Sequence, residues 1–184
     1  MNKSKSGVAR GLAFFCGMLM VGVLAQLPLL AEEDFPGKAV FEKLVGQWTS
    51  EGELTAINGD VIKVSETWVG KFVDEGKGFL IEGDRLWNGE SQTFKWEYSF
   101  NATLQLLEVI YSSSDLDKEL PMEVSVNEAE GSVLRRAQMG AEGAEIMIET
   151  KFEKGKLISQ VTLTGADGQT TLEGSFKHDR KAAN

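Results

Sequence analysis

With 184 residues and 42% hydrophobic side chains, the chain has the size and apolar content of one ordinary globular domain. Its 28 acidic side chains outnumber 19 basic ones, a formal net charge of −9. A surface of that sign repels phosphate backbones and acidic headgroups, which excludes nucleic-acid binding and electrostatic docking on anionic lipid.

Lys3, Lys5 and Arg10 precede an apolar run over 12–24, and small residues follow at Ala25 and Ala31. This is the layout of a secretory signal peptide, and the run is shorter than the ~20 residues that span a bilayer. The sequence therefore predicts a signal peptide over 1–31 and a single domain over 32–184, exported to the periplasm or the medium. Cleavage after Ala31 leaves Glu32 opening the polar chain; cleavage after Ala25 also fits. No stable membrane span is expected once the leader is removed. Cys16 lies inside the apolar run behind Phe14 and Phe15, which is not the small-residue context of a lipid-modified cysteine. The mature chain then has no cysteine, which excludes disulfides, thiolate metal sites, iron–sulfur clusters and cysteine nucleophiles. It also has 16 basic against 28 acidic side chains, a net charge of −12.

The domain begins with a short helix. Pro36 suits the first helical position and Glu32, Glu33 and Asp34 suit the positive end of a helix. Val40, Phe41, Leu44 and Val45 gather on one face, and Gly46 can end the helix in a left-handed conformation. From there the period changes to two. Trp48, Ser50, Gly52, Leu54 and Ala56 share one face of a first strand over 47–57. Nine further strands are predicted, over 61–69, 79–87, 92–100, 103–111, 120–126, 132–139, 144–152, 156–164 and 169–178. Asn58-Gly59-Asp60 and Asn88-Gly89 are strong hairpin signals, because these residues tolerate positive φ. Pro121 fits a strand end or edge. Phe94, Trp96, Tyr98 and Phe100 share a face, as do Leu120, Met122, Val124 and Val126. Ile146, Ile148 and Phe152 oppose charged neighbours, and Leu157, Val161 and Leu163 form another apolar row that Ile158 interrupts. Ten hairpin-linked strands without crossover helices predict an all-β, antiparallel up-and-down barrel, since closure removes the exposed edges.

Gly46-Gln47-Trp48, following a short helix and opening the first strand of a meander, resembles the G-x-W element of the calycin superfamily. That superfamily includes lipocalins, fatty-acid-binding proteins and nitrobindin-like barrels, and this chain is most similar to exported bacterial proteins with lipocalin-like barrels. The resemblance implies that a basic side chain near the end of the last strand stacks on Trp48. Arg180 has the matching parity, and Lys177 the opposite one. It further implies a monomer that binds a small apolar molecule or lipid inside the barrel, without a cofactor. Candidate lining residues are Phe79, Ile81, Trp87, Trp96, Tyr98, Leu106, Met122, Ile148 and Phe176. Arg85, Arg136 and Gln138 also fall on inward faces by parity. A buried arginine needs an acceptor. Resemblance to fatty-acid carriers implies a ligand carboxylate; Glu108, with inward parity, is the alternative as an internal salt bridge.

Two other readings compete. A fully packed barrel would make the protein an exported structural or interaction module. Nitrobindin-like barrels use a C-terminal histidine as the axial haem ligand, and His178 is the only histidine here. Its charged surroundings, Lys177, Asp179 and Arg180, instead predict an exposed histidine at a strand end. No G-x-S-x-G elbow and no histidine-rich metal motif exists. Asp115, Asp117 and Glu119 lack the glycine and later glutamate of a calcium loop and read as a solvated turn. No carboxylate pair is singled out, so enzymatic activity has no constellation to support it.

Overall fold

The computed structural model describes residues 35–140 and 143–182. The leader and its two candidate cleavage points lie outside the described residues. One helix, α1 (Lys38–Leu44), is followed by β1 (Gly46–Ala56), β2 (Val61–Val73), β3 (Gly78–Trp87), β4 (Glu90–Asn101) and β5 (Leu106–Ser113). The chain continues through β6 (Leu120–Asn127), β7 (Ser132–Met139), β8 (Ala144–Glu153), β9 (Lys156–Thr164) and β10 (Thr170–Arg180). Each strand pairs antiparallel with its sequence neighbours, and β1 pairs with β10 to close the barrel. The fold is an all-β, ten-stranded up-and-down barrel with one short helix at its N-terminal end.

The helix starts later than its sequence suggests. Gly37 takes the left-handed N-cap position at φ 70°, and Pro36 lies in the turn before it. The helix ends at Leu44, and Val45 is already extended and 38% exposed rather than part of the apolar face. Gly46 does not terminate the helix; at φ 120° it redirects the chain into β1. Only glycine occupies that region without strain.

The helix floors one end of the barrel. Val40, Phe41 and Leu44 are buried, and the Phe41 ring lies 5.0 Å from both Phe79 and Tyr98. Phe35 and Phe72 complete this aromatic plug in edge-to-face contacts at 5.0 and 6.0 Å. Such contacts add to the area term of burial. Close approach of the helix depends on Gly70, where a Cβ would meet the Leu44 carbonyl oxygen at 2.3 Å. Gly70 thus lies inside β2, which runs on to Val73 and pairs Phe72 with Phe79.

The seam is fastened by Trp48. Its Nε1–H donates to the Leu44 carbonyl at 3.1 Å, and its ring stacks on Trp68 at 5.3 Å. Trp48 and Arg180 are register partners, which carries β10 two residues beyond His178. The Arg180 guanidinium lies 5.0 Å over the Trp48 ring, and its Nη2 donates to the carbonyls of Lys43 and Val45, each at 2.8 Å. One indole therefore links helix, first strand and last strand.

Strand parity differs from the sequence reading in two places. On β5, Leu106 is 52% exposed and Glu108 and Ile110 also face out, while Leu107, Val109 and Tyr111 face in. The β4–β5 connection, with Gln105 at φ 54°, delivers the chain so that Val109 pairs with Tyr98. On β7, Arg136 and Gln138 are exposed, while Val133, Arg135 and Ala137 are buried. Adjacent arginines carry no alternation, so only the register with β8, Arg135 opposite Ile148, decides which points inward.

Truncating Trp48 removes the link among three elements at once. Trp48→Ala is expected to lower the unfolding free energy by about 3–5 kcal/mol, read as a shift of the denaturant midpoint at constant slope. Arg180→Ala, whose side chain is exposed, is expected to cost less.

Candidate functional site

Above the aromatic plug the barrel encloses a cavity of about 240 Å³. Its apolar wall includes Ile81, Trp87, Phe94, Trp96, Met122, Ile148 and Phe176, and Leu44 of the helix reaches its floor. Asp115 and Leu116, in the β5–β6 connection, stand at the opposite end beside Trp87 and Leu172. These are the turns of the helix-free end, where the cavity meets solvent.

A layer of polar side chains crosses the barrel between plug and cavity. Trp68 Nε1–H donates to Ser50 Oγ at 2.8 Å, and Ser50 Oγ is hydrogen-bonded to His178 Nδ1 at 2.6 Å. His178 Nε2 is hydrogen-bonded to Ser159 Oγ at 2.8 Å, and Ser159 Oγ to Thr150 Oγ1 at 2.7 Å. Arg135 Nη1–H donates to Thr150 Oγ1 at 2.8 Å, and Arg135 Nε–H donates to the Tyr98 hydroxyl. The chain runs unbroken from β2 through β1, β10, β9, β8 and β7 to β4. Each member is buried.

His178 is not a solvent-exposed strand-end residue. It is 9% exposed, with both ring nitrogens engaged and Trp68 edge-on at 5.8 Å. Strand alternation turns it inward while its charged neighbours Lys177 and Asp179 turn out. Burial, reinforced by the positive charge of Arg135, lowers its pKa to about 4, so the imidazole is neutral at pH 7. An axial haem bond needs a free imidazole nitrogen, and iron would have to displace Ser50 or Ser159. The residues therefore do not fit a haem site built on His178. Among the described residues no cluster of three histidine, cysteine or acidic side chains is placed to hold a metal ion.

The two inward arginines differ in their partners. Arg85 donates from Nε to Glu66 at 2.8 Å and from Nη1 to the Tyr111 hydroxyl at 3.0 Å. Its guanidinium also sits 4.7 Å from the centre of the Phe94 ring. Burial works to lower its pKa, but Glu66 and Tyr111 outweigh it and the net direction is upward. The salt bridge is thus made with Glu66, not with Glu108, which faces solvent. Arg135 is 4% exposed, and among the described residues no carboxylate lies within ion-pair distance of it. Its neighbours are hydroxyls and the rings of Trp96 and Tyr98, at 5.1 and 5.5 Å. Cation–π contact offsets about 0.5–2 kcal/mol, against several kcal/mol for an uncompensated buried charge. Arg135 is therefore a buried cation held by hydroxyls and aromatic faces rather than by a carboxylate.

Of the residues proposed from sequence, Ile81, Arg85, Trp87, Trp96, Met122, Ile148 and Phe176 line the cavity. Phe79 belongs to the plug, and Tyr98 contributes its hydroxyl to the polar layer. Leu106 and Arg136 face away from the interior. Sequence reading missed Glu66, Gln92, Arg135, Thr150 and Ser159 as interior polar groups. Period-two alternation carried a signal for Thr150, between Ile148 and Phe152, and for Ser159, between Leu157 and Val161.

No protein-family model and no curated protein matches the chain. Solved structures do. The S-type phycobiliprotein lyase CPES from Guillardia theta aligns with a TM-score of 0.55 at 12% identity, over 80% of this chain and 93% of that one. Rv2717c from M. tuberculosis aligns with a TM-score of 0.55 at 9% identity, over 82% of this chain and 100% of that one. The ten-stranded antiparallel barrel is the architecture shared with these structures. At such identities the likeness extends to architecture and not to activity.

The neutral His178 makes a pH prediction with a definite sign. Its folded pKa, about 4, lies below the ordinary value of 6.5, so the unfolded chain binds the extra proton first. Its contribution to stability is complete above pH 6.5 and is lost as pH falls toward 4. Relative to a His178→Gln variant, the wild type is expected to lose roughly 3 kcal/mol across that window. Denaturation of both proteins at several pH values measures the difference, and imidazole NMR of the lone histidine reads the pKa directly.

Proposed function

We propose that this protein is an exported, non-catalytic carrier that holds a small apolar molecule with an acidic head inside its barrel. The observation that carries the reading is Arg135, a buried cation without a carboxylate partner, facing a cavity whose wall is otherwise largely apolar. A ligand carboxylate would neutralise it through a charge-assisted hydrogen bond in a low-dielectric site. The acid would meet Arg135 at the polar layer, and the hydrocarbon would lie along Trp96, Met122, Ile148 and Phe176. The volume restricts the guest. About 240 Å³ falls below the ~300–1,000 Å³ of drug-sized ligand sites. A short- to medium-chain acid suits it better than a long-chain lipid or a tetrapyrrole.

Export rests on Lys3, Lys5 and Arg10 ahead of the apolar run and on the small residues after it. Among the described residues no helix is long and apolar enough to cross a membrane. The acidic exterior keeps the barrel soluble and apart from anionic surfaces. A monomer is the working state, because closure leaves no free sheet edge.

Calorimetric titration of the mature protein with hexanoate, octanoate and hexanol tests the reading. Both acids are expected to bind and the alcohol to bind at least tenfold more weakly. Arg135→Met is expected to abolish the preference for the acids while raising the thermal midpoint of the empty protein, because it removes an uncompensated buried charge. Equal binding of acid and alcohol, or acid binding unchanged in Arg135→Met, would overturn it.

A further inference from the structure

We infer that His178 is a positioning residue for the ligand's acid group: carrying its single proton on Nε2, it makes the Thr150 hydroxyl donate into the cavity beside Arg135. The inference rests on the acid-carrier reading above and names the second group that would hold the acid. It follows from the hydrogens available along the polar layer. Trp68 Nε1–H and Arg135 Nη1–H stand at the two ends, and neither group can accept. Between them lie Ser50, His178, Ser159 and Thr150, joined to the ends and to one another by five hydrogen bonds. Each end group supplies one hydrogen, each of the three hydroxyls one, and the imidazole, neutral at pH 7, one. Six hydrogens thus serve five bonds, and one hydroxyl hydrogen is left over.

The histidine tautomer decides where that hydrogen lies. With the proton on Nδ1, His178 donates to Ser50, and Nε2 accepts from Ser159. Ser159 must then accept from Thr150, and Thr150 from Arg135, so every hydrogen on that side is used. The spare one stays on Ser50, which does not line the cavity. With the proton on Nε2 the line reverses: Ser50 donates to Nδ1, and Nε2–H donates to Ser159. The spare hydrogen then lies on Ser159 or Thr150, both of which line the cavity. Thr150 is the better placed, because its Oγ1 is 2.8 Å from Nη1 of Arg135. Nη2 of the same guanidinium makes no hydrogen bond among the described residues. It is not sealed off, since among those residues Gln92 Oε1 is the one side-chain nitrogen or oxygen that lacks both a partner and accessible surface. An acid group on Nη2 therefore has the Thr150 hydroxyl beside it, and its two oxygens can accept from both.

The test is nitrogen NMR of the lone imidazole in the mature wild type at pH 7, saturated with hexanoate, alongside calorimetric titration of two variants. In the loaded protein Nε2 is expected to carry the proton and Nδ1 to carry none. Thr150→Val, which loses the hydroxyl at nearly the same shape, is expected to bind hexanoate about tenfold more weakly, the scale of one hydrogen bond to a charged group. Thr150→Ser is expected to restore the wild-type affinity. A loaded protein with the proton on Nδ1 overturns the inference and leaves the carrier reading standing. So does a Thr150→Val variant that holds hexanoate as tightly as the wild type. Failure of hexanoate to bind the wild type overturns the carrier reading, and this inference falls with it. The NMR measurement needs only the wild type and stands even if Thr150→Val does not fold.

Discussion

The architecture depends on what surrounds one indole. Trp48 bonds to the end of the helix, stacks on Trp68 of the second strand and lies under Arg180 of the last. Because β1 and β10 are the first and last strands, their pairing is the longest-range contact in the barrel and the one with the greatest loop-closure cost. Placing a large aromatic surface and a doubly hydrogen-bonded guanidinium at that seam offsets the cost where it is greatest. The helix is held by the same groups, through Leu44, Lys43 and Val45. A floor for the barrel and a fastening for its wall are therefore one construction.

Above that floor, the interior changes character over a single layer. The plug is aromatic and apolar; the next layer is a continuous run of hydroxyl, imidazole, guanidinium and phenol groups. A buried polar network is tolerable only when its members are matched, and here the hydroxyls and His178 are. Burial raises the pKa of the Tyr98 phenol, a direction that Arg135 partly opposes, so the phenol remains protonated. The charge on Arg135 is the exception to the matching. A protein that needed only a solid core would gain from an apolar residue at this position. The acidic ligand proposed above would neutralise that arginine.

The solved structures with the same barrel, a phycobiliprotein lyase among them, show that the architecture is shared across chains with little sequence in common. Their likeness bears on the wall rather than on what it encloses. Function on such a fold lives in the few inward side chains that differ from one barrel to the next. The inward polar side chains of this barrel include Arg135, the Glu66–Arg85 pair and the neutral His178.

What the sequence determined by itself was whatever repeats at a period of two or is punctuated by turn residues. Asn58-Gly59 and Asn88-Gly89 mark hairpins, and the row Phe94, Trp96, Tyr98, Phe100 declares an inward face because its opposite row is polar. Helix, seam tryptophan and ten strands follow from such local signals. Tertiary structure alone decided the parity of strands whose two faces are equally apolar or equally charged. Leu106 and Leu107 are indistinguishable by alternation, as are Arg135 and Arg136, and a one-residue difference turns a side chain from core to solvent. The register of β4 with β5 and of β7 with β8 settled both. His178 was obscured differently: its neighbours are charged, but neighbours along a strand point the other way. Its environment comes from Ser50 and Ser159, far away in sequence and adjacent only once the barrel has closed.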